Sequence, residues 1–146
     1  MAAMGNDLFE EARREVETRL AESPADEDAL VDILALIGAR AEEDLRPGAE
    51  QVANDEQAWE LLAAVDAWAS LASYAFQSVY AEELPEVGTP FRRFKGAKED
   101  VMKYLRSCVS QFKSALDSAC RVLAALSYSI GVQFPWGVSI GLEWAP

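Results

Sequence analysis

Apolar residues recur every three or four positions along the first half of the chain, a spacing that predicts amphipathic helices. The first helix is predicted over about residues 6–22, with one narrow apolar stripe. The second begins after Ser23 and Pro24, which suit the start of a helix, and Pro47 with Gly48 is expected to end it. Its buried stripe is expected to comprise Leu30, Ile33, Leu34, Ile37, Ala41 and Leu45.

A third helix is predicted over residues 54–83, with Gln57 in a reciprocal capping position at its start. Glu60 and Asp66 are its only charged residues within positions 58–81, so apolar side chains cover most of its circumference. A helix that is apolar nearly all round is a central one. We expect it either to be surrounded by the other helices or to give one face to an oligomer interface.

A linker is predicted over residues 84–96, which contain two prolines and two glycines. The fourth and longest helix is predicted over residues 97–130, about 50 Å at a rise of about 1.5 Å per residue. Its apolar positions repeat at close to heptad spacing. They are Val101, Leu105, Cys108, Phe112, Leu116, Ala119, Leu123, Leu126 and Ile130.

The pattern changes over residues 131–146, where apolar residues occupy every second position. This alternation is typical of a β-strand. The apolar positions are Val132, Phe134, Trp136, Val138, Ile140, Leu142 and Trp144. A lone strand has no hydrogen-bonding partner in an otherwise helical chain. We therefore expect the tail either to lie in a groove of its own bundle or to pair with another chain.

Together these elements predict an all-α fold, a four-helix bundle whose long C-terminal helix is followed by an extended, strand-like apolar tail. The bundle domain is expected to span residues 1–130, including the linker at 84–96, and the tail to span residues 131–146. A length of 146 residues suits one domain with a core of its own.

Composition argues against catalysis, because the chain has no histidine. It can form neither a Ser-His-Asp triad nor the Glu-x-x-His pairs of di-metal bundles. No phosphate-binding glycine loop or dinucleotide motif occurs. Glu42, Glu43 and Asp44 are interpreted as a solvated face, and Cys108 and Cys120 as reduced thiols that do not pair. We expect no enzymatic activity, no cofactor and no metal site.

Charge is divided unequally along the chain. Residues 1–90 carry 21 acidic and 5 basic side chains, a net charge of −16, whereas residues 91–146 carry 4 acidic and 8 basic ones, a net charge of +4. The basic residues either neutralise the acidic helices or meet an anionic membrane, and nucleic acid is disfavoured as a partner at an overall charge of −12. The predicted anionic-surface patch is Arg92, Arg93, Lys95, Lys98 and Lys103.

The leading hypothesis is a non-catalytic assembly or adaptor protein that self-associates, or docks a protein partner, through its last helix and apolar tail. We expect it to be cytoplasmic or peripheral to a membrane, since no secretory signal pattern opens the chain. The predicted interface residues are Leu105, Phe112, Leu123, Val132, Phe134, Trp136, Val138, Ile140, Leu142 and Trp144.

Two alternatives stay open. The uncharged stretch from Val122 to Leu142 is about as long as a bilayer span, so residues 122–144 could insert into a membrane beside the basic patch. In the other alternative, the acidic helices mimic nucleic acid and block a basic partner.

Overall fold

The computed structural model of the chain describes residues 4–22, 27–80, 97–124, 126–133 and 137–144. These residues form four helices followed by an antiparallel β-hairpin. The elements are α1 (Met4–Glu22), α2 (Glu27–Gln51), α3 (Asp55–Val79), α4 (Ala97–Val122), β1 (Leu126–Gln133) and β2 (Gly137–Trp144). The predicted helical bundle is confirmed, although the hairpin makes the fold mostly helical rather than all-α. The predicted linker at 84–96 lies outside the described residues.

Helix α3 begins with the predicted cap. The Asn54 side chain accepts a hydrogen bond from the Gln57 amide at 2.9 Å. In return, the Gln57 side chain accepts from the Ala53 amide at 2.9 Å, one residue earlier than in a standard capping box. Helix α3 then contacts α1, α2, α4 and β2, as expected of a central helix.

Helix α2 does not end at Pro47 as predicted, but continues to Gln51. Proline removes one helical hydrogen bond and usually destabilises a helix interior by about 3 kcal/mol. Here the turn beyond Pro47 is stabilised by packing, because Ala49 and Val52 both lie against the core. The amide of Val52 also donates to the carbonyl of Gly48 at 2.9 Å.

Helix α4 ends at Val122, eight residues before the predicted end at Ile130. A tight turn follows, in which the Leu126 amide donates to the Leu123 carbonyl at 2.8 Å. Leu126 and Ile130 are four positions apart, a spacing that fits both a helix face and one face of a strand. Tyr128 lies between two serines, so serine occupies every second position from Leu126 to Ile130. This alternation is that of the strand that forms.

The tail has a strand partner in its own chain, contrary to the expectation for a lone strand. Strand β1 pairs antiparallel with β2, from Leu126 opposite Trp144 to Gln133 opposite Gly137. The predicted boundary between residues 130 and 131 therefore falls inside β1. One face of the hairpin packs on α3 and α4. That face carries Leu126, Tyr128, Ile130, Val132, Val138, Ile140, Leu142 and Trp144.

Candidate functional site

The predicted interface residues of α4 lie inside the protein. Leu105, Phe112 and Leu123 are buried in the core that α4 shares with the other helices. The apolar stripe of α4 is part of this core, because α2 and α3 both pack against α4. In the described conformation a partner has no access to these three side chains.

The predicted interface residues of the tail differ in exposure. Val132, Val138 and Ile140 are half-buried where the hairpin lies against the helices. Leu142 is 46% exposed and Trp144 is 54% exposed. Strand β2 is therefore partly covered in its first half and exposed at its C-terminal end. Two further predicted residues lie outside the described part of the chain: Phe134 and Trp136.

An aromatic residue of the central helix α3 joins this exposed end. Trp59, near the start of α3, is 43% exposed. Its ring centroid lies 5.7 Å from that of Trp144, with the ring planes inclined at 50°. Together with Leu142 these rings form the Trp patch (Trp59, Leu142 and Trp144). Grouped exposed aromatic side chains are typical of contact surfaces.

The hydrogen bonds of Ser73, on α3, show which backbone groups of β2 point away from β1. Its hydroxyl accepts from the Val138 amide at 3.0 Å and donates to the Val138 carbonyl at 3.2 Å. In an antiparallel pair, the amide and carbonyl of one residue point to the same side, and the side alternates along the strand. Val138 therefore turns both groups away from β1, and so do Ile140, Leu142 and Trp144.

These groups give β2 an open outer edge. The Ser73 hydroxyl binds the outward amide and carbonyl of Val138. Among the described residues, no hydrogen bond is made to the outward amides and carbonyls of Ile140, Leu142 or Trp144. We call these three residues the outer edge of β2. A strand edge with unpaired amides and carbonyls is a template for a further strand.

A groove runs between the outer edge and α3. It comprises two adjoining cavities of about 280 and 440 Å³, both lined by Asp66 and Ile140. Asp66 is exposed. Helix α3 contains no lysine or arginine, and Asp66 therefore makes this groove acidic. The exposed side chains of α3 along it are Trp59, Ala63, Asp66, Ser70 and Tyr74.

Asp44 does not lie on the solvated face predicted for it. The side chain is half-buried, and its Oδ2 accepts a hydrogen bond from Trp68 Nε1 at 2.7 Å. Burial raises the pKa of Asp44, and the Trp68 hydrogen bond only partly opposes this. The sequence signal was its position immediately before the buried Leu45, at the margin of the apolar stripe.

The structure describes one side chain of the predicted anionic-surface patch. Lys103 is exposed on α4, and Lys98 lies in the first turn of the same helix. The other three predicted residues lie outside the described ranges: Arg92, Arg93 and Lys95.

Further cations extend the exposed face of α4. Arg106, Lys113 and Arg121 lie three, ten and eighteen positions after Lys103, which places all four on one side of the helix. Within the described part of the chain none of them forms a salt bridge, since the ion pairs there all lie within α1 and α2. The acidic helices described here do not neutralise this face by direct pairing.

The two cysteines are free thiols. Cys108 is buried, and its burial raises the thiol pKa to about 12, which disfavours the reactive thiolate. In the ranges that the structure describes, no group of three or more cysteine, aspartate or glutamate side chains is placed to hold a metal ion.

Comparisons with known proteins give no match to a protein family, to a curated protein or to a solved structure. Among the described helices, none is long and apolar enough to cross a bilayer. Function is therefore inferred from the geometry of the hairpin, the groove and the surfaces beside them.

Proposed function

We propose that this chain is a non-catalytic assembly or adaptor protein that docks an extended segment of a protein partner along the outer edge of β2. The observation that carries the proposal is the open edge beside the Trp patch. Strand addition satisfies backbone hydrogen bonds first, and alternate side chains of the added strand then supply specificity.

The edge defines the length and the position of the docked segment. Ile140, Leu142 and Trp144 offer their outward amides and carbonyls over five residues, about 17 Å at about 3.4 Å per residue. Ser73 closes the edge at Val138 and so limits the ladder at that end. Alternate side chains of a docked segment would face the groove and the Trp patch.

Charge favours a basic partner over a second copy of this chain. Asp66 lines the groove, and α3 has no lysine or arginine to balance it. A two-fold interface places the same surface on both sides, so two copies joined here would bring Asp66 towards its own equivalent. A strand that alternates apolar and cationic side chains would bond to the backbone groups of the edge and would also bring positive charge to Asp66.

A direct test uses peptides as probes. A fluorescent seven-residue peptide that alternates valine and lysine is titrated with the full chain and followed by anisotropy. We expect saturable binding, at least tenfold weaker binding of a valine–glutamate peptide, and none of an oligoproline peptide of the same length, which has no internal amide to donate. Equal binding of all three peptides, or no binding of the first, would overturn the proposal.

Proline substitutions locate the binding along the edge. Leu142→Pro removes an outward amide and leaves the ladder to β1 intact, and edge strands tolerate proline at such positions. Gly141→Pro is the matched control, because the Gly141 amide points towards β1 and its loss disrupts the hairpin. We expect the Leu142→Pro protein to keep the fold and lose the peptide. Wild-type peptide affinity in that variant contradicts docking at this edge.

The mass in solution separates a partner from a second copy. Light scattering of the full chain at several concentrations is expected to give the monomer mass, because the acidic groove disfavours self-docking. A concentration-dependent dimer that the Leu142→Pro variant fails to form would identify a second copy as the occupant.

A second candidate function, binding to an anionic membrane surface, is favoured by the exposed cations of α4. Flotation with vesicles containing phosphatidylserine tests it. Binding that salt weakens, and that reversal of the charges of Lys103, Arg106, Lys113 and Arg121 abolishes, would support it. Absence of flotation at low salt would exclude it.

A further inference from the structure

A separate cleft lies between α1, the end of α2 and the first half of α3. Its volume is about 550 Å³, within the range of about 300–1,000 Å³ that is usual for small-molecule sites. Ala63 lines both this cleft and the groove beside β2, so the two sites are neighbours on α3. The apolar walls of the cleft are Phe9, Leu45, Val52, Leu61, Ala64 and Trp68.

The aromatic part of the wall is held in place by its own contacts. Phe9 meets Trp68 edge to face, with ring centroids 5.1 Å apart and ring planes at 90°. Trp68 is completely buried and donates its indole N–H to Asp44. These contacts hold the Asp44 carboxylate at the margin between the apolar wall and the open cleft.

The described charged residues that line the cleft are negative. Asp44 and Glu60 line it, together with the amides of Gln51 and Gln57, and none of the described lining residues is lysine or arginine. Among the described residues no basic side chain forms a salt bridge with Asp44. A half-buried carboxylate loses part of its hydration, and a bound cation compensates for that loss.

We propose that this cleft binds a small organic cation, an ammonium group carried on an apolar, ring-containing body. The ammonium would pair with Oδ1 of Asp44, the oxygen that does not accept from Trp68, and the body would cover Phe9, Leu61 and Ala64. A neutral ligand lacks the ion pair, and an anion meets two carboxylates. This site is distinct from the docking edge proposed above, so either proposal can fail without the other.

The probe is 2-phenylethylamine, and 2-phenylethanol is its neutral analogue. Each is titrated into the full, ¹⁵N-labelled chain while the indole N–H resonance of Trp68 is followed by NMR. We expect a saturable shift with the amine at neutral pH, with an affinity at least tenfold higher than that for the alcohol. Absence of a saturable shift, or equal affinity for amine and alcohol, would overturn the proposal.

Two variants test the role of the carboxylate. Asp44→Asn keeps an acceptor for the Trp68 indole and is expected to weaken amine binding at least tenfold. Glu43→Gln removes the same charge one position away, where the side chain is exposed, and is expected to bind as the wild type does. Equal losses in the two variants would mean that overall charge, and not this site, attracts the amine.

Two further measurements do not depend on the fold of the Asp44 variant. Ala64→Leu fills the cleft and is expected to abolish binding of the amine. In the wild type, amine affinity should fall as the pH is lowered through the pKa of Asp44, whereas affinity for the alcohol should not change. Unchanged amine binding in the Ala64→Leu protein, or at a pH where Asp44 is protonated, contradicts the assignment.

Discussion

The helical core and the hairpin are built from the same kinds of apolar side chain, but they bury them to different degrees. Trp68 and Phe112 in the core are completely enclosed, whereas Leu142 and Trp144 on the hairpin are about half exposed. A bundle helix has neighbours on several sides, but a hairpin laid on two helices has one covered face and free edges. The core therefore supplies stability, and the hairpin carries the apolar surface and backbone groups that the described residues leave exposed.

The largest effect is expected in the core. Phe112→Ala should lower the free energy of unfolding by about 3–5 kcal/mol, because it leaves a cavity in a fully packed region. Leu142→Ala on the hairpin should cost less than about 1 kcal/mol, since the side chain is already half exposed. Urea denaturation followed by circular dichroism measures both. Similar losses in the two variants would mean that the hairpin is part of the core.

A pair of glycines tests how the hairpin is attached. Gly137 has φ of +103°, and a Cβ there would lie 2.9 Å from the Cα of Ser73. Gly137→Ala should therefore displace the start of β2 from α3, at a cost of about 1–3 kcal/mol for the strained backbone. Gly131→Ala is the control, because no atom of the described residues lies within 4 Å of a Cβ at that position.

Hydrogen exchange is the measurement for this pair. In the Gly137→Ala protein we expect the amides of β1 and β2 to lose protection while those of α2 and α3 keep it. The Gly131→Ala protein should exchange like the wild type. Loss of helix protection in the Gly137→Ala protein would show that the stability of the bundle depends on the hairpin. That outcome would contradict the inference that the core alone supplies stability.

The smallest effect is expected at the Trp patch. A double-mutant cycle of Trp59→Ala and Trp144→Ala should give a coupling energy near the lower end of about 0.5–1.5 kcal/mol, because both rings are partly hydrated. Such a weak contact leaves the rings free to bind a partner. A coupling above that range would indicate a structural pair rather than a contact surface.

Much of the bundle could be predicted from the sequence. The N-cap at Asn54 is local chemistry and was found, as were the buried stripe of α2 and the central position of α3. The end of α4 was predicted wrongly, because the four-residue spacing of Leu126 and Ile130 fits both a helix and a strand. The alternation that includes Tyr128 is the pattern that favours the strand. The helical turn beyond Pro47 was missed, because the packing of Ala49 and Val52 is a tertiary contact.

The candidate sites were less accessible to prediction. Leu142 and Trp144 were among the predicted interface residues, and both are about half exposed. The exposure of Trp59 was not predicted, because a tryptophan on a largely apolar helix is usually buried. Asp44 was read as solvated, because its hydrogen-bond partner Trp68 lies 24 positions further along the chain.

The sequence by itself determined which positions are apolar and with what period, since backbone geometry turns a period of 3.6 or 2 into one covered face. Only the tertiary structure decided which of those faces stay covered. It brought Ser73 to Val138 across 65 positions and closed one end of the β2 edge, whereas no other described residue bonds to the rest of that edge. Periodicity is a property of neighbouring residues, whereas burial and strand pairing depend on which distant elements meet.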